Sequence, residues 1–252
     1  MTVLLGFTSY NRLAYTKRTL RALLEWCART QPDVRLVIVD DASTDGSHEW
    51  LQKIKQLKRG QPWLTDIILQ KERQGHAVCS NIAWRLTDGD YVKFDNDVLI
   101  RRDDWLDVLR QYARIVPGAG VVGHNCELTL HSAYPERELY DGIMYAPRPT
   151  IAGACILIPY ETRRRCGRWN EREPRQGFNR GLDLVYGVKA QLAGLREIYT
   201  TGRKDIFVKC LTGGETPTYI AERALLKRSV PNWTRAVITA YQNRRRTLND
   251  VP

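Results

Sequence analysis

Short apolar runs alternate with amphipathic segments through the first hundred residues, and this alternation constrains the fold more than any other feature. Residues 3–7, 34–39, 67–69 and 91–98 read as strands. Between them lie Leu13, Leu20, Leu23, Leu24 and Cys27, then Trp50, Leu51, Ile54 and Leu57, then Val78, Ile82 and Leu86, each set at near-helical spacing. Turn-forming residues separate the runs, at Pro32-Asp33, Gly60-Gln-Pro62 and Thr87-Asp-Gly-Asp90. The order β-α-β-α-β-α-β implies an α/β protein with a mostly parallel central sheet flanked by helices. Its crossovers should be right-handed.

In such a sheet, ligands gather beyond the carboxyl ends of the strands. Three ends stand out: Thr8-Ser-Tyr-Asn-Arg12, Asp40-Asp41-Ala-Ser-Thr-Asp-Gly-Ser47 and Asp95-Asn-Asp97. Asn11 suits the N-cap of the first helix, and Asp45 and Ser47 suit caps of the second. Two carboxylates one residue apart can hold a hard divalent cation and, through it, a diphosphate. The same three residues also make an ordinary acidic turn.

The second half reads as a helix carrying Trp105, Leu106, Leu109 and Tyr112, strands at 120–123 and 151–158, and a strand at 195–199. Residues 124–150 contain Pro135, Pro147 and Pro149 and read as an irregular substrate-covering loop. Gly153 would let a ligand or backbone approach closely. Asp183 opens a helix that Gly194 closes; by local physics it is either a helix N-terminal acid stabilised by the dipole or a catalytic carboxylate.

With 252 residues and 43% hydrophobic content, the chain is long enough for a real core. No signal peptide or membrane-spanning run is evident. Six cysteines form no C-x-x-C pair, which argues against a zinc site and fits a reducing cytoplasm. The net charge of +11 favours polyanionic partners. Basic residues concentrate near the end, at Arg223, Lys227, Arg228, Arg235, Arg244, Arg245 and Arg246. With Trp233, Val237, Ala240 and Tyr241 on one face, this helical tail either docks on an anionic membrane surface or packs back on the domain. The expected location is the cytoplasm, either free or peripheral at the inner membrane face.

The three strand-end features in order, with Gly75 to Asn81, Gly153-Ala, Trp169-Asn-Glu171 and Gly181-Leu-Asp183, resemble the family 2 glycosyltransferases. That resemblance implies a GT-A (Rossmann-like) catalytic domain over residues 1–215, with a nucleotide-binding half at 1–97, an acceptor half at 98–215 and a basic helical C-terminal extension at 216–252. It implies an inverting transfer from a nucleotide-sugar, a UDP-sugar first, to a hydroxyl acceptor. Thr8, Tyr10, Arg12, Asp41, Gly75, Asn81, Asp95 and Asn96 would bind the donor. Asp97 and Asp95 would hold Mn²⁺ or Mg²⁺. Gly153, Trp169, Asn170 and Glu171 would lie on the acceptor side. Asp183 would be the catalytic base.

Two departures from the family pattern stand out. Leu182 replaces the acid that usually precedes the base. All four histidines, His48, His76, His124 and His131, precede Asp183, so the histidine that often completes the metal shell is missing. Asp205 and Cys210 are weak substitutes, and His76 reads as a helix-surface residue.

The acceptor is expected to be a glycan or lipid-linked saccharide, with hydroxylated bases of DNA as the alternative that the charge equally allows. Anionic membrane glycolipid or DNA would be the polyanionic partner, and no obligate protein partner is evident. Nucleotidyl transfer would need a Gly-rich basic loop near the N-terminus, and residues 7–12 do not supply one. A non-catalytic nucleic-acid-binding protein on the same fold would have no need of Asp41, Asp95, Asp97 and Asp183.

Overall fold

The computed structural model describes residues 2–30, 33–124, 137–148, 154–169, 171, 182–201 and 207–211. Gly153, Asn170, His131, Cys126, Asp205 and the basic segment 219–252 lie outside them.

The elements run β1 (Val3–Ser9), α1 (Leu13–Thr30), β2 (Val34–Asp40), α2 (Ser47–Leu57), β3 (Leu64–Leu69), α3 (His76–Trp84), β4 (Asp90–Asp95), β5 (Val98–Ile100), α4 (Trp105–Ile115) and β6 (Ala119–Gly123). They continue with β7 (Glu138–Tyr140), β8 (Ile143–Arg148), β9 (Cys155–Ile158), α5 (Tyr160–Cys166), α6 (Leu182–Leu192), β10 (Arg196–Thr200) and β11 (Val208–Cys210).

Nine strands form one sheet in the order β3-β2-β1-β4-β9-β6-β10-β8-β7. The first four are mutually parallel. β9 runs antiparallel between β4 and β6. Ser9 pairs with Asp40 and Thr8 with Asp95, so the carboxyl ends of β1, β2 and β4 finish level on one edge. β5 and β11 form a separate ribbon, with Val98 opposite Cys210. There the Leu211 amide donates to the Asp97 carbonyl at 2.6 Å.

Each strand sends alternate side chains to opposite faces. Val3, Leu5, Phe7, Val92 and Phe94 pack with α1, α2 and α4, around Trp26, Leu51, Trp105 and Leu109. Leu4, Val37 and Tyr91 face α3 and α6, where Trp84, Trp169, Tyr186 and Ala190 complete a second core. In that second core the Trp169 and Tyr186 rings stack at 4.6 Å, and Trp84 meets both edge-on. Because 91, 93 and 95 share a face of β4, this alternation also carries Lys93 and Asp95 to the side of α3 and α6.

Four details differ from the sequence expectations. Part of the supposed loop 124–150 is a hairpin, β7–β8, that widens the sheet. Its two-residue turn, Asp141-Gly142, has φ of 45° and 73°, the paired positive values that a right-twisted hairpin requires. The inward face of α3 is formed by Ala77, Ser80, Asn81 and Trp84, while Leu86 follows the helix and is exposed. The helix lies close to the sheet, where small residues fit and where Asn81 finds partners. Leu57, at the last position of α2, is also exposed. Asn11 does not cap α1. The first amide of that helix, on Leu13, donates to Asp45 Oδ2 at 2.7 Å, and the Asn11 side chain instead accepts from the Thr44 amide.

His124 follows β6 and is fully buried. Its Nε2 lies 2.7 Å from the Trp105 carbonyl, which can only accept, so Nε2 carries the hydrogen and Nδ1 accepts from the Thr200 hydroxyl at 2.9 Å. Burial pushes this imidazole down to about 4. The unfolded chain binds this proton near pH 6.5 and the folded chain resists it. The contribution to stability is therefore complete above about pH 6.5 and is lost as pH falls toward 4, with a span of about 3 kcal/mol. In denaturant titrations over this range, His124→Gln should flatten the pH dependence. An unchanged slope would remove His124 as its source.

Candidate active site

The carboxyl edge of β1, β2 and β4 gathers most of the singled-out residues. Two helices, α3 and α6, begin there, so their N-terminal amides add positive potential at the same edge.

The first group surrounds Asp41. This residue is buried just past β2 and accepts from the Gln74 amide at 2.6 Å and from the Gly75 amide at 3.0–3.1 Å. Gly75 has φ of 92° and ψ of 159°, a conformation reserved for glycine, and this turns its amide toward the carboxylate. Burial raises the Asp41 carboxyl above its ordinary value, although the two amides and Arg73 oppose the shift. The Arg73 guanidinium sits 3.9 Å from the Tyr10 ring centroid and 3.9 Å from Asp41 Oδ2. Tyr10, Arg73 and Asp41 thus form a slot with an aromatic wall and a buried acceptor. The adjacent Asp40 has a different environment. It is wholly buried and receives Ser9 Oγ, Ser43 Oγ and the Ser43 amide, with His48 Nδ1 at 3.2 Å, so it ties the strand ends together.

The second group is the centre of the edge. Asp97 Oδ2 accepts from Arg12 at 3.1 Å. Arg12 and its neighbour Asn11 both have positive φ, 63° and 53°. Consecutive left-handed non-glycine residues are strained, and such strain collects at functional sites. The turn is held by hydrogen bonds: the Asn11 amide to Ser43 Oγ, and Asn96 Nδ2 to the Asn11 carbonyl and to Thr16 Oγ1. Asn96 therefore braces the turn from beneath.

Asp95 Oδ1 accepts from Lys93 Nζ at 2.7 Å. Lys93 also lies 3.7 Å from Asp183 Oδ1 at the start of α6. Burial by itself would lower the Lys93 ammonium, but Asp183 and Asp95 outweigh it and raise the group above its ordinary value. His76, the first residue of α3, faces inward. Its Nδ1 meets Thr8 Oγ1 at 3.2 Å, and its Nε2 is 3.8 Å from Asp95 Oδ1. Burial and then the Lys93 charge push this imidazole down to about 3, so it is neutral. The helix-surface reading of His76 is thus corrected: the helix start points it into the site.

The third group joins the two halves. Asn81 is fully buried; its Nδ2 donates to the Trp169 carbonyl and to Glu171 Oε1, both at 2.9 Å, and its Oδ1 accepts from the Trp169 amide at 3.0 Å. Asn81→Ala removes all three bonds and leaves backbone groups unpaired in the core. The expected loss is about 2–4 kcal/mol, read as a lowered denaturant midpoint at constant slope. A loss below about 0.5 kcal/mol would show that these contacts do not hold the segment. The Trp169 ring is buried against Trp84, Tyr91 and Tyr186, so acceptor contact at this segment would fall to Glu171 rather than to the indole face.

Known proteins give a consistent placement. Residues 6–130 match the family described as Glycosyl transferase family 2. This match places the first half of the chain in glycosyltransferase family 2. It is 31% identical over 96 residues to the putative teichuronic acid biosynthesis glycosyltransferase TuaG of Bacillus subtilis (strain 168), a match that covers 38% of this chain and 35% of that protein. Its fold is that of the GT-A glycosyltransferases. The mannosyltransferase PcManGT from Pyrobaculum calidifontis, in complex with GDP-Man and Mn²⁺, aligns with a TM-score of 0.63 at 19% identity over 91% of this chain and 65% of that one. TarS 1–349 of S. aureus, in complex with UDP-GlcNAc, aligns with a TM-score of 0.62 at 15% identity over 86% of this chain and 60% of that one. The family 2 chain thus spans about a third of its curated relative and less than two thirds of these structures.

Sequence reasoning missed three residues at this edge: Lys93, Arg73 and the inward role of His76. For Lys93 a signal existed. A lysine inside an otherwise apolar strand, two residues before Asp95, shares its face by the strand period. Arg73 lies between elements and carries no periodic signal.

Among the described residues, no group of three His, Cys, Asp or Glu is placed to hold a metal. Asp95 and Asp97 supply hard oxygen donors for part of a shell only. This fits Mg²⁺ or Mn²⁺ bound in the way that uses one or two carboxylates and completes the shell with substrate phosphates and water. Among the described residues, no helix is long and apolar enough to cross a membrane.

Proposed function

We infer that the chain is an inverting, metal-dependent glycosyltransferase that moves a sugar from a nucleotide-sugar, a UDP-sugar first, to a hydroxyl of a glycan or lipid-linked saccharide. The observation that carries this reading is the bridge at the sheet edge. Asp95 from the donor-side strand and Asp183 from the acceptor-side helix face one buried ammonium, at 2.7 and 3.7 Å.

The residues divide the work. Asp41 accepts hydrogen bonds from the base or ribose, and Tyr10 with Arg73 forms the wall beside it. The N-terminus of α3, with Thr8 and His76, faces the diphosphate. Asp97 and Asp95 would hold the divalent cation, which when bound would supply positive charge to offset that building on the departing diphosphate. For Asp97 to do so, Arg12 must move from the carboxylate to the phosphates, which its partly exposed side chain permits. Asp183 accepts the proton of the acceptor hydroxyl. That oxygen bonds to the anomeric carbon from one face as the carbon–oxygen bond to the diphosphate breaks on the other, and the diphosphate leaves with the electron pair.

The likeness to TuaG, described by its role in teichuronic acid biosynthesis, supports a glycan acceptor. The charge of +11 suits an anionic one. The test is a calorimetric screen of nucleotide-sugars with and without Mn²⁺, followed by transfer to saccharide and to hydroxymethylated DNA acceptors. Binding of no nucleotide-sugar would remove the enzyme reading. Transfer to DNA alone would replace the acceptor.

A further inference from the structure

Lys93 is an unusual residue for its place. It stands in the middle of β4, between Val92 and Phe94, which are both fully buried, and is itself 1% exposed. A buried ammonium is costly unless it is paired and hydrogen-bonded. Here it has a charge-assisted hydrogen bond to Asp95 at 2.7 Å and an ion pair with Asp183 at 3.7 Å. The two contacts differ in kind. The first fixes the Asp95 carboxylate. The second is inside ion-pair range and outside hydrogen-bond range, so Lys93 attracts Asp183 without donating a proton to the oxygen that faces it.

The two acids come from separate parts of the chain. Asp95 ends β4, and Asp183 begins α6, which is tied to the sheet by Tyr186 in the aromatic core. Without the cation between them, two carboxylates at one strand end repel each other, and an incoming diphosphate adds further negative charge.

We propose that Lys93 is a positioning residue for sugar transfer: its buried ammonium spans Asp95 and Asp183 and sets the acceptor-side carboxylate at a fixed place relative to the donor side. The assignment rests on the glycosyltransferase reading of the site. Lys93 acts through Asp183 and touches neither sugar. A displacement of about 1 Å in such a group is enough to cost about 100-fold in rate.

The test compares Lys93→Met, Lys93→Arg, Asp183→Asn and the double variant Lys93→Met/Asp183→Asn in the full chain. The probe is the UDP-sugar that binds in the calorimetric screen. The readouts are its affinity, the kcat and KM of UDP release, and the melting temperature. Lys93→Met should lower kcat by about 100-fold with the donor KM within about threefold, and Lys93→Arg should recover at least about a tenth of wild-type turnover. In the Asp183→Asn background, Lys93→Met should cost nothing further, because the group it positions is gone.

An undiminished kcat in Lys93→Met overturns the proposal. So does an equal further loss on top of Asp183→Asn, or a loss confined to KM, which would make Lys93 a donor ligand. If Lys93→Met does not fold, the arginine and double variants decide alone, since neither leaves the two carboxylates facing each other without a cation. Failure of the wild-type chain to bind any nucleotide-sugar is a separate outcome and removes the enzyme reading itself.

Discussion

Asp183→Asn should keep nucleotide-sugar binding within about threefold while transfer falls by about 10³-fold. The substitution preserves shape, and it preserves a polar oxygen near Lys93, so α6 should seat as before. What it removes is the basic carboxylate that would take the proton. A positioned general base contributes about 10²- to 10⁴-fold, and an amide cannot serve as one. Donor binding should be insulated because Asp41 is held by the Gln74 and Gly75 amides and lies beside Arg73, none of which the substitution alters. One negative charge fewer near the diphosphate would, if anything, tighten donor binding slightly. Calorimetry with UDP-sugar and a coupled assay for UDP release separate the two quantities. Residual turnover above about a tenth of wild type would remove Asp183 as the base and return it to the helix N-terminal role that its position also allows.

The parts of the fold that were legible from sequence are those fixed by local signals. The strands β1, β2 and β4 are mostly apolar and stop at Ser9, Asp40 and Asp95, and the parallel order follows from the helices between them. Asp95, Asp97, Asp41 and Asp183 could be singled out because they stand at strand ends or a helix start. What was not legible depends on partners distant in sequence. Asn81 is assigned to the donor by the family resemblance, and its bonds to Trp169, 88 positions away, emerge only from the structure. Asn11 looks like a cap for α1, but Asp45 reaches across from the β2 loop and takes that amide first. Both cases turn on competition among several possible hydrogen-bond partners, which a local reading cannot rank. Lys93 is intermediate. Its face could have been read from the strand period, but a lysine in a strand ordinarily marks a solvent-facing position. Only the arrival of α6 makes the burial tolerable. The hairpin β7–β8 was missed although Asp141-Gly142 signals it, because the surrounding prolines suggested an irregular loop.

Asp97→Ala should abolish the effect of Mn²⁺ on nucleotide affinity and should not weaken metal-free binding. The two halves of this result come from Arg12. In the structure the Arg12 guanidinium rests on Asp97 at 3.1 Å with about a third of its side chain exposed, so it can leave the carboxylate at small cost. On the proposed reading, a divalent cation would compete with Arg12 for Asp97 in the wild-type chain and would recruit the diphosphate. With alanine at 97 the metal is left with Asp95 alone, whose Oδ1 is already engaged by Lys93 at 2.7 Å, and titrations of UDP with and without Mn²⁺ should coincide. Loss of the Asp97 carboxylate removes one competitor for the Arg12 guanidinium and one charge that repels phosphate, so metal-free affinity should rise by about 2- to 10-fold. Stability should change little, because the backbone carbonyl of residue 97 still accepts from Leu211 and Arg12 can turn to solvent. A Mn²⁺ effect that persists at its wild-type size would place the metal away from Asp97. A fall in metal-free affinity would show instead that Arg12 needs Asp97 to hold it where the phosphates arrive, and that the strained turn at Asn11 and Arg12 is not enough to aim it.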